Sequence, residues 1–312
     1  MPSSQQVVYA ALLGNLLVAA TKSVAAFWTG SSAMASEAIH SFVDSGNEVL
    51  LLYGQHRASR RPDREHPLGH GRELYFWSFI VALLIFAVGA GVSLYEGVAH
   101  IREPVPIETP SVNYAVLALA LVFEGASWII SVKQFHSLRG RRGFYETVRR
   151  SKDPPSFIVL FEDSAALLGI LIAAAGTFAA THWHIRVMDG VASVLIGLIL
   201  GGVAMVLARE SKSLLVGEAA QSELVESIMS IAARNPAVKR VNGLLTAQLA
   251  PDQILVAMSL EFSDHVRIPE LEDRIIEIER AVRSRHGEVI ALFVKPQTPK
   301  AFSEARRLRF GE

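Results

Sequence analysis

The chain contains no cysteine. Without thiols, neither a disulfide nor a thiolate metal site can form, so any metal must be held by histidine, carboxylates or backbone oxygens. Charge is scarce as well. Only 19% of the 312 residues are Asp, Glu, Lys or Arg, and 30 basic residues stand against 30 acidic ones. A balanced chain has no electrostatic footprint for nucleic acid, and no nucleic-acid partner is expected. The opening MPSSQQ lacks the basic region of a cleavable signal peptide, so the first apolar stretch reads as a permanent span. The phosphate loop, G-x-S-x-G and H-E-x-x-H are all missing, which speaks against an enzyme.

What is abundant is apolar surface. Hydrophobic residues make up 51% of the chain and the mean hydropathy is +0.32. Six runs approach the roughly 20 residues that a bilayer requires: 6–28, 32–54, 74–99, 112–135, 157–181 and 187–208. Lys and Arg in the loops set their orientation. The 2–3 loop holds Arg57, Arg60, Arg61, Arg64 and Arg72. The 4–5 loop holds Lys133, Arg139, Arg141, Arg142, Arg149, Arg150 and Lys152. The 3–4 and 5–6 loops have only Arg102 and Arg186. Both basic loops, and therefore both termini, are expected on the cytoplasmic side.

Residues 209–312 are mixed and charged. A helical pattern over 221–236 is followed by strand patterns at 238–250 and 253–263, a helix at 268–287 and a strand at 288–296. The order α-β-β-α-β suits a two-layer α+β sandwich of ferredoxin-like type. The expected architecture is thus an all-α six-helix transmembrane domain (1–208), an α+β ferredoxin-like C-terminal cytoplasmic domain (209–296) and a mobile basic tail (297–312).

Ionisable residues inside an apolar segment carry the chemistry. His40 and Asp44 are four apart in span two, so on a helix they share a face about 6 Å apart along the axis. An imidazole and a carboxylate so placed are half a site for a borderline cation such as zinc. A carboxylate at mid-membrane costs roughly 2.5 kcal/mol or more on insertion scales, which marks it as functional. Span five supplies adjacent carboxylates, Glu162 and Asp163, which point about 100° apart on a helix. Asn15, Lys22, Glu96, Glu124 and Asp189 are further polar residues in the spans that can serve a proton path or orient helices. GLILGGV (197–203) permits close helix approach.

Six spans, the H-x-x-x-D of span two, the Asp of span five, HPLGHGRE (66–73) and the α-β-β-α-β tail together resemble the cation diffusion facilitator family of metal/proton antiporters. The resemblance runs to about residue 296. It implies a tetrahedral transport site with ligands from spans two and five: His40, Asp44 and Asp163. The family commonly has His or Asp where this chain has Val159. Glu162 is the nearest replacement, as in a branch that includes a mitochondrial zinc transporter; Asn47 or water are the alternatives. The resemblance also offers Asp63, His66 and His70 as a second, interfacial zinc site, although Pro67 and Gly69 make that segment a turn. The positions that bind zinc in the cytoplasmic domain of some relatives are here Asn242, Met258, Phe293 and Lys295, so no binuclear site is expected there and dimerisation should be apolar.

The resemblance implies efflux of a divalent cation, Zn2+ first and Mn2+, Fe2+ or Co2+ next, against protons by alternating access. A homodimer through both domains in a bacterial inner membrane is implied too. The rival class is a non-transporting membrane metal sensor or scaffold.

Overall fold

In a computed structural model, the described residues are 4–29, 32–104, 110–139, 147–148 and 151–311. Arg141, Arg142, Arg149 and Arg150 lie outside them, as do the side chains of His40 and Arg139, whose backbones are helical. The chain divides into two compact units, Met1–Lys212 and Ser213–Glu312.

The first unit is helical. α1 (Ser4–Thr29) and α2 (Ser32–Ala58) are followed by α3 (Glu73–Leu84), a π-helical turn (Ile85–Ala90) and α4 (Gly91–Arg102). These last three form one continuous stretch, Glu73–Arg102. Then come α5 (Pro110–Arg139), α6 (Pro154–His182) and α7 (Val187–Val216). Helices therefore cover all six apolar runs. Of these, Glu73–Arg102, Pro110–Ser137, Pro154–His182 and Val187–Val216 are long and apolar enough to cross a membrane. α2 is less apolar because it carries the polar residues singled out above.

Local chemistry explains several boundaries. Two prolines open α6, where a missing N–H costs nothing, and Asp189 lies in the first turn of α7, where the helix dipole favours an anion. The π turn, by contrast, is invisible to the periodicity of run three. There the Gly91 N–H reaches back five residues to the Phe86 carbonyl.

Buried Leu51, Val81, Phe135, Phe157, Val159 and Leu207 join α2, α3, α5, α6 and α7 in one apolar core. Large apolar side chains such as Phe27, Phe86, Val122, Leu171 and Leu198 face outward on the same helices, as contact with lipid requires. Glycines set the closest approaches. A Cβ on Gly97 of α4 would fall 2.7 Å from the Val194 backbone N of α7, and one on Gly197 would fall 2.8 Å from Leu94.

The second unit holds α8 (Ser222–Ala233), β1 (Val238–Ala250), β2 (Gln253–Phe262), α9 (Ile268–Arg285), β3 (Val289–Pro296) and α10 (Pro299–Phe310). The sheet order is β1-β2-β3. β1 and β2 are antiparallel, and β2 and β3 are parallel. Alternate residues of β2 (Ile254, Val256, Met258, Leu260) pack against Ile228 of α8 and Ile278 and Val282 of α9. The amphipathic period of two in the strands meets the 3.6-residue period of the helices.

One expectation fails here. The segment read as a mobile tail forms α10. Its start is capped by Thr298, whose Oγ1 accepts from the Ala301 N–H at 3.3 Å, and it ends at Gly311 in the left-handed conformation. Phe302 lies over Gly243 of β1, where a Cβ would come within 2.8 Å of the ring.

Candidate metal site

α2 and α6 present the ionisable groups, and α1 and α5 hold them in place. Asp163 is 3% exposed. Its Oδ2 accepts from Ser127 Oγ at 2.9 Å and Ser131 Oγ at 3.1 Å, both on α5. These serines are spaced i, i+4, so they share the α5 face turned to α6. They were missed in the sequence, although that spacing inside an apolar span was the available signal. Beside them, Trp128 Nε1 donates to Ser164 Oγ at 3.0 Å and fixes the same helix pair.

Glu162 is also buried, yet it turns the other way. Asn47 Nδ2 of α2 donates to its Oε1 at 3.0 Å. The two adjacent carboxylates of α6 thus address different helices, as a 100° step requires. Asp44 is half-buried on α2 and lies within electrostatic range of both Glu162 and Asp163. His40 belongs to the same helix one turn earlier, and its side chain is outside the described residues. Val159, where a ligand is common in the family, is fully buried in the apolar core and supplies no donor atom.

Two other buried polar side chains of these helices are paired across α1 and α2. Asn15 Nδ2 donates to Glu48 Oε1 at 2.8 Å, and Lys22 Nζ donates to Ser41 Oγ at 3.1 Å. Glu124 is buried on α5. Asp189 and Glu96 lie on α7 and α4, where the main-chain oxygen of Asp189 accepts from Ser193 Oγ.

The 2–3 loop gathers a second group. Asp63, His66 and His70 bring one ligand atom each within 4.8 Å of one another, the one such cluster of three among the described residues. The loop's own hydrogen bonds build it. Asp63 Oδ1 accepts from the backbone N–H groups of Glu65 (2.9 Å) and His66 (2.6 Å), and Oδ2 accepts from His70 Nε2 at 3.1 Å. The His66 N–H and the His70 ring hold the Asp63 carboxyl below the usual carboxylate range, at about 2. Gly69, at φ 83°, lets the chain turn back so that the two imidazole centroids lie 4.4 Å apart. The His70 side chain is 8% exposed, while those of His66 and Asp63 are open to solvent at 54% and 52%.

This loop is pinned at both ends. Arg57 Nη2, near the end of α2, donates to Glu73 Oε1 at 2.6 Å at the start of α3, and Trp77 Nε1 donates to Glu73 Oε2 at 2.9 Å. Trp77 closes over Gly54, where a Cβ would fall 2.8 Å from the Trp77 Cβ and 3.3 Å from the indole.

In the second unit, Met258 is core and Phe293 is exposed. The Asn242 amide donates to the Gln297 carbonyl at 2.7 Å, and His286 Nε2 lies 2.8 Å from Ser227 Oγ.

Residues 8–216 match the family described as the cation efflux transmembrane domain. The chain belongs to the cation diffusion facilitator family. It is 33% identical over 263 residues to the human "Proton-coupled zinc antiporter SLC30A9, mitochondrial", covering 84% of this chain and 46% of that protein. "Metal tolerance protein C4" of Arabidopsis thaliana is 29% identical over 265 residues, 83% of this chain and 57% of that protein. "Manganese efflux system protein MneP" of Bacillus subtilis is 24% identical over 301 residues, 94% of this chain and 96% of that protein. The chain spans about half the length of the mitochondrial relatives it matches. A zinc-transporter-like member of a cation efflux family is a multi-pass membrane protein and not an enzyme.

Proposed function

We propose that this protein exports a divalent metal cation, Zn2+ first, in exchange for protons by alternating access. The observation that carries this is Asp163, a carboxylate buried in a span long and apolar enough to cross a membrane and held by two serine hydroxyls of the neighbouring helix. Such a group is costly in a bilayer unless it binds something. His40 and Asp44 of α2 with Asp163 of α6 form the transport set, completed by Glu162, Asn47 or water. These ligands must shed protons to bind metal, so protons arriving from the far side displace the cation there. An imidazole at His40 suits this exchange near neutral pH.

In this reading all six helical stretches cross the membrane and both termini are cytoplasmic, in a bacterial inner membrane. Asp63, His66 and His70 form a second, interfacial zinc site. The second unit is a ferredoxin-like domain that dimerises through apolar contact; exposed Leu245 and Phe293 lie on strands paired to either side of Ala257. One observation favours Mn2+ as a second cargo: with Val159 in the core, carboxylates outnumber imidazoles in the set.

Proteoliposomes carrying a pH dye test the reading. The wild type should take up Zn2+ with counterflow of protons, and Asp44→Ala and Asp163→Ala should fall to the level of empty vesicles. Equal uptake by wild type and both variants would overturn the transport site, and wild-type uptake no greater than that of empty vesicles would leave the sensor or scaffold class in its place.

A further inference from the structure

α2 carries polar groups that His40 and Asp44 do not explain. Glu48 and Asn47 are each 1% exposed. One half of each is satisfied, Glu48 by Asn15 of α1 and Asn47 by Glu162 of α6. The other half is not. Glu48 Oε2, Glu162 Oε2 and Asn47 Oδ1 are buried without a hydrogen-bond partner among the described residues. A buried acceptor without a donor is costly, and native proteins keep few of them. These three are neighbours: Asn47 bonds Glu162, and Glu48, the next residue of α2, lies within electrostatic range of Glu162. Two carboxylates in apolar surroundings repel each other unless a cation accompanies them. A carboxamide oxygen adds a third acceptor and no charge.

We propose that Glu48, Glu162 and Asn47 form a further divalent-cation site, built of oxygen alone and oriented by Asn15. On the orientation proposed above, on which this placement rests, Glu48 lies one helical turn nearer the cytoplasm than Asp44. A cation entering from that side meets three oxygens before it meets an imidazole. Hard cations such as Mn2+ favour carboxylate and carbonyl oxygens, whereas Zn2+ gains more from the nitrogen of His40. The two stations therefore sort cations by softness. With Glu162 and Asn47 bonded to each other in the outer station, water is left to complete the inner set of His40, Asp44 and Asp163, the last held by α5.

The test uses the full chain in detergent, with Asp63→Ala as background so that the loop cluster does not bind. Mn2+ binding is read by loss of the free-ion electron paramagnetic resonance signal, and Zn2+ binding by calorimetry. Glu48→Gln should weaken Mn2+ binding at least about tenfold and Zn2+ binding less than about twofold. Glutamine keeps the size of the side chain and an acceptor for Asn15, and an unchanged unfolding midpoint confirms an intact bundle. Asp163→Ala should show the reverse preference. Unchanged Mn2+ binding in Glu48→Gln, or an equal loss of both metals, overturns the proposal. Failure of the transport reading shows separately, as uptake that survives Asp163→Ala in vesicles.

Discussion

Asp163 shows how much a single residue depends on its neighbours. Its carboxylate is held by Ser127 and Ser131, so under the proposed function these hydroxyls set where a cation meets it. Groups that orient a metal ligand are worth roughly 10- to 100-fold in affinity. Ser131→Ala should therefore weaken Zn2+ binding about tenfold while leaving the midpoint of thermal unfolding within a few degrees, as calorimetry and a melting curve will show. The candidate ligands stand out in the sequence, because His40, Asp44 and Asp163 are anomalous in apolar runs. Their supports were not. Serine is common in spans, and only packing shows that Ser127 and Ser131 turn toward Asp163, or that Asn15 reaches Glu48 across 33 positions of the chain. Val159 was legible as a departure from the family pattern, and the fold gives it a positive role as part of the core.

Elements were easier to read where one periodicity ran unbroken. β1 was expected at 238–250 and is found there, since Pro251 and Asp252 mark the turn and the alternation on either side is clear. α10 was missed because its few apolar residues, Phe302, Leu308 and Phe310, are outnumbered by charge, yet Thr298-Pro299 was an N-terminal signal in plain view. α7 runs on past 208 to Val216 because polarity alone does not end a helix. Contact between α4 and α7 rests on missing side chains. Gly97 and Gly190 each bring the other's backbone oxygen within 2.9 Å of where a Cβ would stand. Gly97→Leu should force the helices apart, cost about 1–3 kcal/mol by overpacking and lower the unfolding temperature of the detergent-solubilised protein.

For the whole molecule, composition alone separates an apolar N-terminal part from a charged C-terminal one, and the strands of the latter are read from alternation. The break falls at Lys212 within α7. What composition could not convey is that span three is pinned differently at its two ends. α3 is tied to α2 through Arg57, Glu73 and Trp77, while α4 meets α7 through glycine. Between them lies the π turn at Ile85–Ala90. A π turn accommodates one residue more than an α-helical turn, so the chain carries a spare amino acid at this point. Deleting one residue from any other apolar helix would rotate everything beyond it by about 100° and scramble its contacts. Deleting Val88 should instead relax the π turn to plain α-helix and leave both anchored ends in register. The deletion variant should insert and unfold at a temperature near that of the wild type, whereas deletion of Leu171 in α6 should abolish the folded protein, as fluorescence-detected size exclusion will report. Span three is thus the place where this protein can lose a residue and keep its fold.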